Sequence, residues 1–314
     1  VTLTGNIRLY FFMKKIYTIK DDYLGTRLDR WFKKNISEVP QSLIEKNLRR
    51  GKIKVNHKKV KSLYKLQKND QVTLYDIVFS TQKKNKSKNF YKETKKDLSY
   101  SSNIFIENND DFAVINKPAG IAVQSGTKSK RNILDILKST KEFKDIYPYA
   151  VHRIDKETTG ILIVAKNRKY AQLFTSLFRI RKIHKTYLCI TLGKLYKDKG
   201  ILIDELFHYE GDKKIKSKAI THFTVLDANN NYSLLKLNPQ TGRKHQLRKQ
   251  LLIHGCPILG DDKYRISPNK MKKNVLMLHA YKINFSIAES RYSFSAELPL
   301  SFKNTLKEKY LKIF

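Results

Sequence analysis

The chain has 314 residues, 40% hydrophobic and 11% aromatic, which suits two folded domains and excludes a wholly disordered protein. Its 64 Lys and Arg residues against 28 Asp and Glu residues give a formal charge of +36, which favours a polyanionic partner, above all nucleic acid. Two cysteines without a Cys-x-x-Cys pair argue against a disulfide framework and a zinc site. No apolar run approaches the ~18 residues of a membrane span. We therefore expect a cytoplasmic protein with no metal and no membrane partner.

Residues 1–20 are predicted to be an N-terminal extension. The opening VTLTGNIRLYFFMKK holds a short apolar patch at residues 9–13, too short for the core of a signal peptide. Because the chain opens on Val1 and contains Met13, we expect native translation to begin at Met13 and residues 1–12 to carry no structure.

Residues 21–79 are predicted to form a small module of two helices and three short strands. The apolar faces of the helices consist of Leu28, Trp31, Phe32 and Ile36 in the first and Leu43, Ile44 and Leu48 in the second. The second helix is expected to stop at Gly51, since glycine commonly follows a helix end. Alternating residues at 53–56, 64–66 and 71–75 predict the strands.

Three segments of this module, TRLDRWF, LIEKNLRRGKIKVN and YKLQKNDQVTLY, resemble the S4 RNA-binding domain. The resemblance implies that the helix pair presents basic residues to folded RNA, here Arg27, Arg30, Lys46, Arg49, Arg50 and Lys52. The alternative is a basic face that only contacts water. Phosphate contacts of this kind give salt-dependent affinity and little reading of base sequence.

Residues 80–102 carry seven lysines and few core-forming side chains, so we expect a flexible basic linker. Residues 103–314 are predicted to be one larger domain. It begins with a hairpin (104–106 and 112–116) and a short helix from Asn132. A buried strand (161–165), a helix (169–179) and strands at 185–191, around Val225 and at 232–237 follow. The fold class expected is α+β, built on a mixed, largely antiparallel sheet.

The stretch AVHRIDKETTGILIVAK, residues 150–166, is a polar loop that continues through Gly160 into a buried strand. Asp155 lies in the loop between basic residues, and function concentrates on loops held by rigid elements. From the loop alone, a charged surface turn and a chemical site are equally open.

Six motifs in order resemble the RluA branch of the pseudouridine synthases: INKPAGIAV, HRIDKETTGILIVAK, KTYLCITLG, NPQTGRKHQLR, HGCPILGDDKY and LMLHA. The resemblance extends from about residue 20 to near the end of the chain. It implies isomerisation of uridine in RNA, which adds no atoms and needs no cofactor. Asp155 is implied as the essential carboxylate, either a nucleophile at C1′ of the ribose or a base at C2′; both routes stay open.

The resemblance also implies roles for the residues around Asp155. Arg248 is expected to bind Asp155 bidentately and keep it ionised in a dry pocket, with phosphate binding as the alternative. Tyr187 is expected to stack on uracil and help remove the C5 proton, unless it is a core residue. Leu278 is expected beneath the base, although core packing explains it equally well.

Further residues of these motifs are assigned to RNA contact or to support of the loop. Arg153 is expected to enter the RNA helix as the target nucleotide is extruded. Arg243 and His245 are assigned to RNA binding, and His152 is expected to shape the loop through a hydrogen bond.

We therefore expect a bacterial, monomeric RNA pseudouridine synthase acting on large-subunit (23S) ribosomal RNA, with no DNA partner. One alternative is a synthase acting on tRNA or another RNA. Another is a non-catalytic S4-domain RNA-binding or ribosome assembly factor, which the presence of Asp155 and Arg248 disfavours. An aminoacyl-tRNA synthetase would need a nucleotide-binding signature, which the sequence lacks.

Overall fold

The computed structural model describes residues 14–37, 39–75, 104–125, 131–210, 213–266 and 275–313. The chain divides into two compact units, with the division between residues 88 and 89. The predicted translation start at Met13 and the predicted linker at 80–102 lie outside the described residues. No helix in the described part of the chain is long and apolar enough to cross a membrane.

The first unit has a three-stranded antiparallel sheet in the order β1-β3-β2 and two helices. Its elements are β1 (Lys14–Thr18), α1 (Leu28–Asn35), α2 (Gln41–Arg49), β2 (Ile53–Val55) and β3 (Gln71–Tyr75). Leu28, Trp31 and Phe32 of α1 pack with Ile44 and Leu48 of α2 in one core. The two predicted helices are therefore confirmed, and Gly51 follows α2 with a positive φ of 69°.

Three details of the first unit differ from the sequence expectation. Residues 14–18, predicted to lie in an extension, form β1 and pair with β3, because an edge of the small sheet is available to them. Residues 64–66 are not a strand; Lys65 makes only an isolated bridge to Arg27. Leu43, placed on the inner face of α2, is 37% exposed, because the core contacts fall on Ile44 and Leu48.

The mixed sheet predicted for the second unit is present, and it has ten strands in the described residues. Its pairings are antiparallel except that between β7 and β12, which is parallel. The path through the sheet is β4-β5-β7-β12-β8-β11-β10-β9, with β13 on β12 and β6 on β7. The strands are β4 (Phe105–Asn108), β5 (Phe112–Lys117), β6 (Tyr149–Ala150), β7 (Thr159–Ala165), β8 (His184–Leu192), β9 (Lys199–Glu210), β10 (Lys213–Ala228), β11 (Tyr232–Pro239), β12 (Leu278–Ile287) and β13 (Ser290–Ser295).

The helices of this unit are α3 (Ile133–Lys138), α4 (Arg168–Arg179), α5 (Gln246–Ile253) and α6 (Leu300–Glu308). The side chain of Asn132 accepts a hydrogen bond from the backbone of Asp135 and so caps α3 at the predicted start. The helix predicted at 169–179 corresponds to α4, whose buried residue is Phe174. The predicted first hairpin and the strands at 161–165 and 185–191 are confirmed.

The parallel contact of β7 with β12 places the Asp155 loop at the centre of the sheet. Gly160 has a φ of 104°, and a Cβ at that position would overlap the backbone carbonyl of Ala280. Only glycine permits this approach. Next to it, Thr159 and His279 share a buried hydrogen bond of 2.8 Å between the Thr Oγ1 and the His Nδ1. The loop before β7 is thereby fixed to the core.

Candidate active site

A cavity of about 720 Å³ opens at this end of the sheet. Its walls come from the loop before β7, the start of β8, the end of β11, the first turn of α5 and the start of β12. Every site residue predicted in the second unit lines it: Arg153, Asp155, Tyr187, Arg243, His245, Arg248 and Leu278. Arg153 and Leu278, which are 125 positions apart in the chain, therefore line the same cavity, as the family resemblance implies.

The contact between Asp155 and Arg248 is present but differs from the expected one. Arg248 donates a single hydrogen bond from Nη1 to the Oδ2 of Asp155, at 3.2 Å. The bidentate grip is on Asp261: Nε donates to Oδ2 at 2.6 Å and Nη2 to Oδ1 at 2.7 Å. The prediction that Arg248 binds Asp155 bidentately is therefore wrong. Two of the three nitrogen atoms of the Arg248 guanidinium already bind Asp261, whose side chain is fully buried.

Asp261 was not singled out from the sequence, although it lies in the quoted motif HGCPILGDDKY. Its carboxylate accepts the backbone N–H groups of Lys263 and Tyr264, each at 2.9 Å, so the turn aims it at Arg248. Burial acts to raise the pKa of Asp261, but the hydrogen bond and charge of Arg248 and the two backbone donors outweigh it and lower the pKa. The carboxylate therefore stays ionised at neutral pH.

Arg248 is a fixed positive charge in this site. Burial acts to lower its pKa, and the hydrogen bonds and charges of Asp261, followed by those of Asp155, raise it instead. The ring of Tyr264 lies 5.0 Å from the guanidinium carbon, within the range of a cation–π contact. Asp261 and the ring of Tyr264 therefore fix the side chain of Arg248 in position.

His245 faces the other oxygen of Asp155. It precedes α5 with a left-handed φ of 55°, which turns its ring into the cavity. Its Nδ1 shares a hydrogen bond of 2.8 Å with the hydroxyl of Tyr264, and its Nε2 lies 3.7 Å from Oδ1 of Asp155. Burial, together with the charges of neighbouring cations, lowers the pKa of His245 despite the opposing effect of Asp155. The ring is therefore neutral at pH 7.

Tyr187 and Leu278 form an apolar part of the cavity wall. Tyr187 lies on β8 opposite Ala280, and Leu278 on β12 is 3% exposed and belongs to the hydrophobic core. Leu278 therefore packs in the core and also lines the cavity, and its place beneath a base stays a prediction. Burial, followed by the charge of Asp155, raises the pKa of Tyr187. The phenol is protonated at neutral pH and can donate a hydrogen bond.

The Asp155 loop is supported by groups beneath it. The Nε2 of His152 accepts the backbone N–H of Ile163 at 2.8 Å, which confirms its predicted role in shaping the loop. Lys117, which the sequence reading did not single out, is fully buried and donates to the carbonyls of Pro118, Ile121 and Lys156. Burial lowers the pKa of Lys117 to about 7. The carbonyl of Lys156, next to Asp155, is thus held in place.

The rim of the cavity is basic. Arg153 is exposed beside Asp155, and Arg179, Arg181, Lys185, Arg243 and Lys244 also line the opening. This positive rim surrounds an acidic centre, an arrangement that suits a polyanion whose sugar, and not its phosphate, reaches the carboxylate.

The basic residues predicted in the first unit belong to its two helices and the turn that follows them. Arg30, Arg49 and Arg50 are exposed, and Lys52 is partly buried. Arg27 is paired with Asp29, which also accepts a hydrogen bond from Gln41. Arg27 therefore has a structural role at the start of α1.

The sequence of residues 111–252 matches the family model described as RNA pseudouridylate synthase. The chain belongs to this family and is an RNA pseudouridine synthase, an isomerase.

Two relatives are named ribosomal large subunit pseudouridine synthase C. That of Rickettsia conorii is 32% identical over 90% of this chain and 97% of its own length. That of Haemophilus influenzae is 30% identical over 86% and 87%. Among solved structures, human RNA pseudouridylate synthase domain containing 4 matches with a TM-score of 0.60 and 27% identity, over 69% of this chain and 97% of the human chain.

Proposed function

We propose that this protein isomerises uridines of large-subunit ribosomal RNA, with Asp155 as the carboxylate that acts on the ribose. The observation that carries the proposal is the state of Asp155 in the cavity. It is the single carboxylate among the described residues that line the cavity, with Oδ2 bound to Arg248 and Oδ1 3.7 Å from Nε2 of His245. The names of the relatives from Rickettsia and Haemophilus support ribosomal RNA as the substrate.

In the reaction the N1–C1′ bond of uridine breaks, the uracil turns, and a C5–C1′ bond forms. The proton leaves C5 and the ring nitrogen N1 gains one, so product and substrate are isomers. Asp155 acts either on C1′ as a nucleophile or on C2′ as a base. Both routes use a carboxylate oxygen of Asp155, and Arg248 holds this carboxylate through a hydrogen bond of 3.2 Å from Nη1 to Oδ2.

The remaining residues of the cavity fit the handling of a flipped base. Leu278 and Tyr187 offer an apolar surface for uracil, and the protonated hydroxyl of Tyr187 is suited to donate a hydrogen bond to it. Tyr187 as the base that takes the C5 proton is disfavoured, because its raised pKa makes the phenolate rare. The exposure of Arg153 supports its proposed role of filling the gap that extrusion of the nucleotide leaves in the RNA.

For the first unit we propose an S4-like role in attachment to RNA. Exposed Arg30, Arg49 and Arg50 on or after its two helices support phosphate contact, and the match to the Rickettsia relative extends over 90% of the chain. Such contacts place the enzyme on folded RNA while the second unit carries the chemistry.

The test is pseudouridine formation in 23S ribosomal RNA by purified wild-type and Asp155→Asn protein. The variant should lose turnover and keep its RNA affinity, because many basic residues carry the binding. Glu157→Gln is the matched control, since Glu157 is an exposed carboxylate of the same loop. Wild-type-like turnover in Asp155→Asn, or RNA binding by the wild type without any product, would contradict the proposal.

A further inference from the structure

The long hairpin of β9 and β10 has one covered and one exposed face. On the covered face, the side-chain amide of Gln250 in α5 donates to the carbonyls of Leu202 and Ala219, and Leu206 is buried. On the opposite face, Ile201 and Ile203 are 51% and 57% exposed, and Phe207 is 43% exposed. Exposed Glu205 lies between Ile203 and Phe207 on this face, so the three apolar residues form a row interrupted by one carboxylate. Single exposed apolar residues are common on proteins, but several along one face indicate a binding surface.

Basic residues of β10 lie across from this apolar row. Lys216 pairs with Phe207, and His222 pairs with Ile201 in the strand register. Lys218, two pairs further along the hairpin toward His222, lies opposite Glu205 and is also exposed. We call Ile201, Ile203, Phe207, Lys216, Lys218 and His222 the hairpin strip.

The hairpin strip is continuous with the active-site cavity. The Nε2 of His222 lies 2.6 Å from the side-chain nitrogen of Gln240, which lines the cavity. Both residues also line an adjoining hollow of about 390 Å³, which shares Arg181 and Lys185 with the cavity. An RNA strand that leaves the cavity through this hollow would contact the hairpin strip directly.

A second connection runs through Arg243, which lines the cavity and donates from Nε to the carbonyl of Lys218 at 3.2 Å. The positive charge of the cavity rim therefore continues onto the hairpin. Lys216 is 3.1 Å from Glu205 and lies over the ring of Phe207 at 5.5 Å. That one exposed ion pair leaves Lys218 and Arg243 as an excess of positive charge along the strip.

Apolar and aromatic side chains alternating with cations are the features that bind single-stranded nucleic acid. The bases lie on apolar and aromatic groups and the phosphates contact the cations. A second copy of this chain fits less well, since two such strips facing each other would bring lysines against lysines. We infer that the hairpin strip binds the RNA strand that flanks the target uridine, with phosphates on Lys216 and Lys218 and a base on Phe207. This role rests on the proposed function and extends it.

The experiment measures the affinity of the full chain for one 23S RNA fragment over a series of salt concentrations. Lys216→Gln/Lys218→Gln should lower the slope of log affinity against log salt by about 1.4, roughly 0.7 for each lost contact to a single strand. Phe207→Ala should weaken binding about tenfold with an unchanged slope, since a stacking contact carries no charge. Lys307→Gln/Lys312→Gln, two exposed lysines near the C-terminus, is the matched control and should leave the slope unchanged.

Equal slopes and affinities for wild type, Lys216→Gln/Lys218→Gln and Phe207→Ala would overturn the inference. So would a wild-type dimer that Ile203→Glu converts to a monomer, because the strip would then be covered by a second copy. Pseudouridine formation by the wild type on the same fragment is scored separately. A flatter slope without any product would support the RNA-binding strip and refute the proposed function.

Discussion

Asp261→Asn should disable the enzyme although Asp261 contacts Arg248 and not Asp155, the carboxylate proposed to react. The change keeps the shape of the side chain and removes its charge. One of the two oxygens that accept from Arg248 becomes an amide nitrogen, which opposes a donor at a contact of 2.6 or 2.7 Å. Removing one partner of a buried pair costs about 3–5 kcal/mol. Because Asp155 still pairs with Arg248, we expect about 3 kcal/mol.

That loss of stability corresponds to a fall in Tm of about 6–12 °C, at roughly 2–4 °C per kcal/mol for a domain of this size. Arg248 would also lose its anchor, and a displacement near 1 Å at a reacting group costs about a hundredfold in rate. Thermal unfolding and single-turnover pseudouridine formation measure the two effects. The control is Asp262→Asn, the same chemical change at the exposed neighbouring residue, which should match the wild type.

The pH dependence of the Asp261→Asn effect follows from the lowered pKa of Asp261. The folded-state pKa lies below the ordinary value of 3.8, so the stability that this carboxylate contributes is present above that pH. It is lost as the pH falls through the folded-state pKa. The difference in unfolding free energy between wild type and Asp261→Asn should therefore shrink in acid. A variant with wild-type Tm and kcat would show that Asp155 alone positions Arg248, and our reasoning would fail.

Three other changes test separate parts of the structure. Arg248→Lys keeps the charge but cannot join Asp155 and Asp261 at once, so single-turnover rates should fall about a hundredfold; full activity would mean that only charge matters there. Burial, and after it the charge of Lys185, lowers the pKa of His152 from 6.5 to about 3. Between these pH values the folded protein keeps the ring neutral, whereas the unfolded chain binds a proton there. Stability should thus fall between pH 6.5 and 3, and less steeply in His152→Gln; parallel Tm curves would contradict this. Replacing the exposed Arg49 and Arg50 of the first unit with Gln should lower the slope of log RNA affinity against log salt by about 1.4. An unchanged slope would show that these arginines do not contact RNA.

The sequence was sufficient to bring Asp155, Tyr187 and Arg248 into one site, because each lies in a long motif with a recognisable local pattern. It was not sufficient to choose the main partner of Arg248. Spacing along the chain does not tell which carboxylate reaches a guanidinium, and here the turn after Gly260 decides it by aiming Asp261 with two backbone hydrogen bonds. Only the structure resolves such a choice between equivalent chemical groups.

β9 was not predicted from the sequence, and β10 was predicted only around Val225, for a different reason. A half-buried strand is recognised by alternation of apolar and polar residues. In β9 the exposed face carries Ile201, Ile203 and Phe207, while the covered face carries Leu202 and Leu206, so the alternation disappears. Several exposed apolar residues on one face indicate a binding surface. In this chain they lie on the hairpin face that reaches the cavity through His222 and Gln240.

The hydrogen bonds of Arg248 bear directly on the reaction proposed for Asp155. A bidentate grip would occupy both oxygens of Asp155, and neither could approach C1′ or the proton on C2′ without first breaking a strong pair. In the structure Asp261 accepts hydrogen bonds from Nε and Nη2 of Arg248, and Oδ2 of Asp155 accepts one hydrogen bond from Nη1 at 3.2 Å. Its Oδ1 has only the neutral ring of His245 at 3.7 Å, which is too long for a hydrogen bond. Asp261 therefore has two effects: it fixes the guanidinium of Arg248 beside Asp155, and it keeps that guanidinium away from Oδ1, the oxygen that we propose reacts.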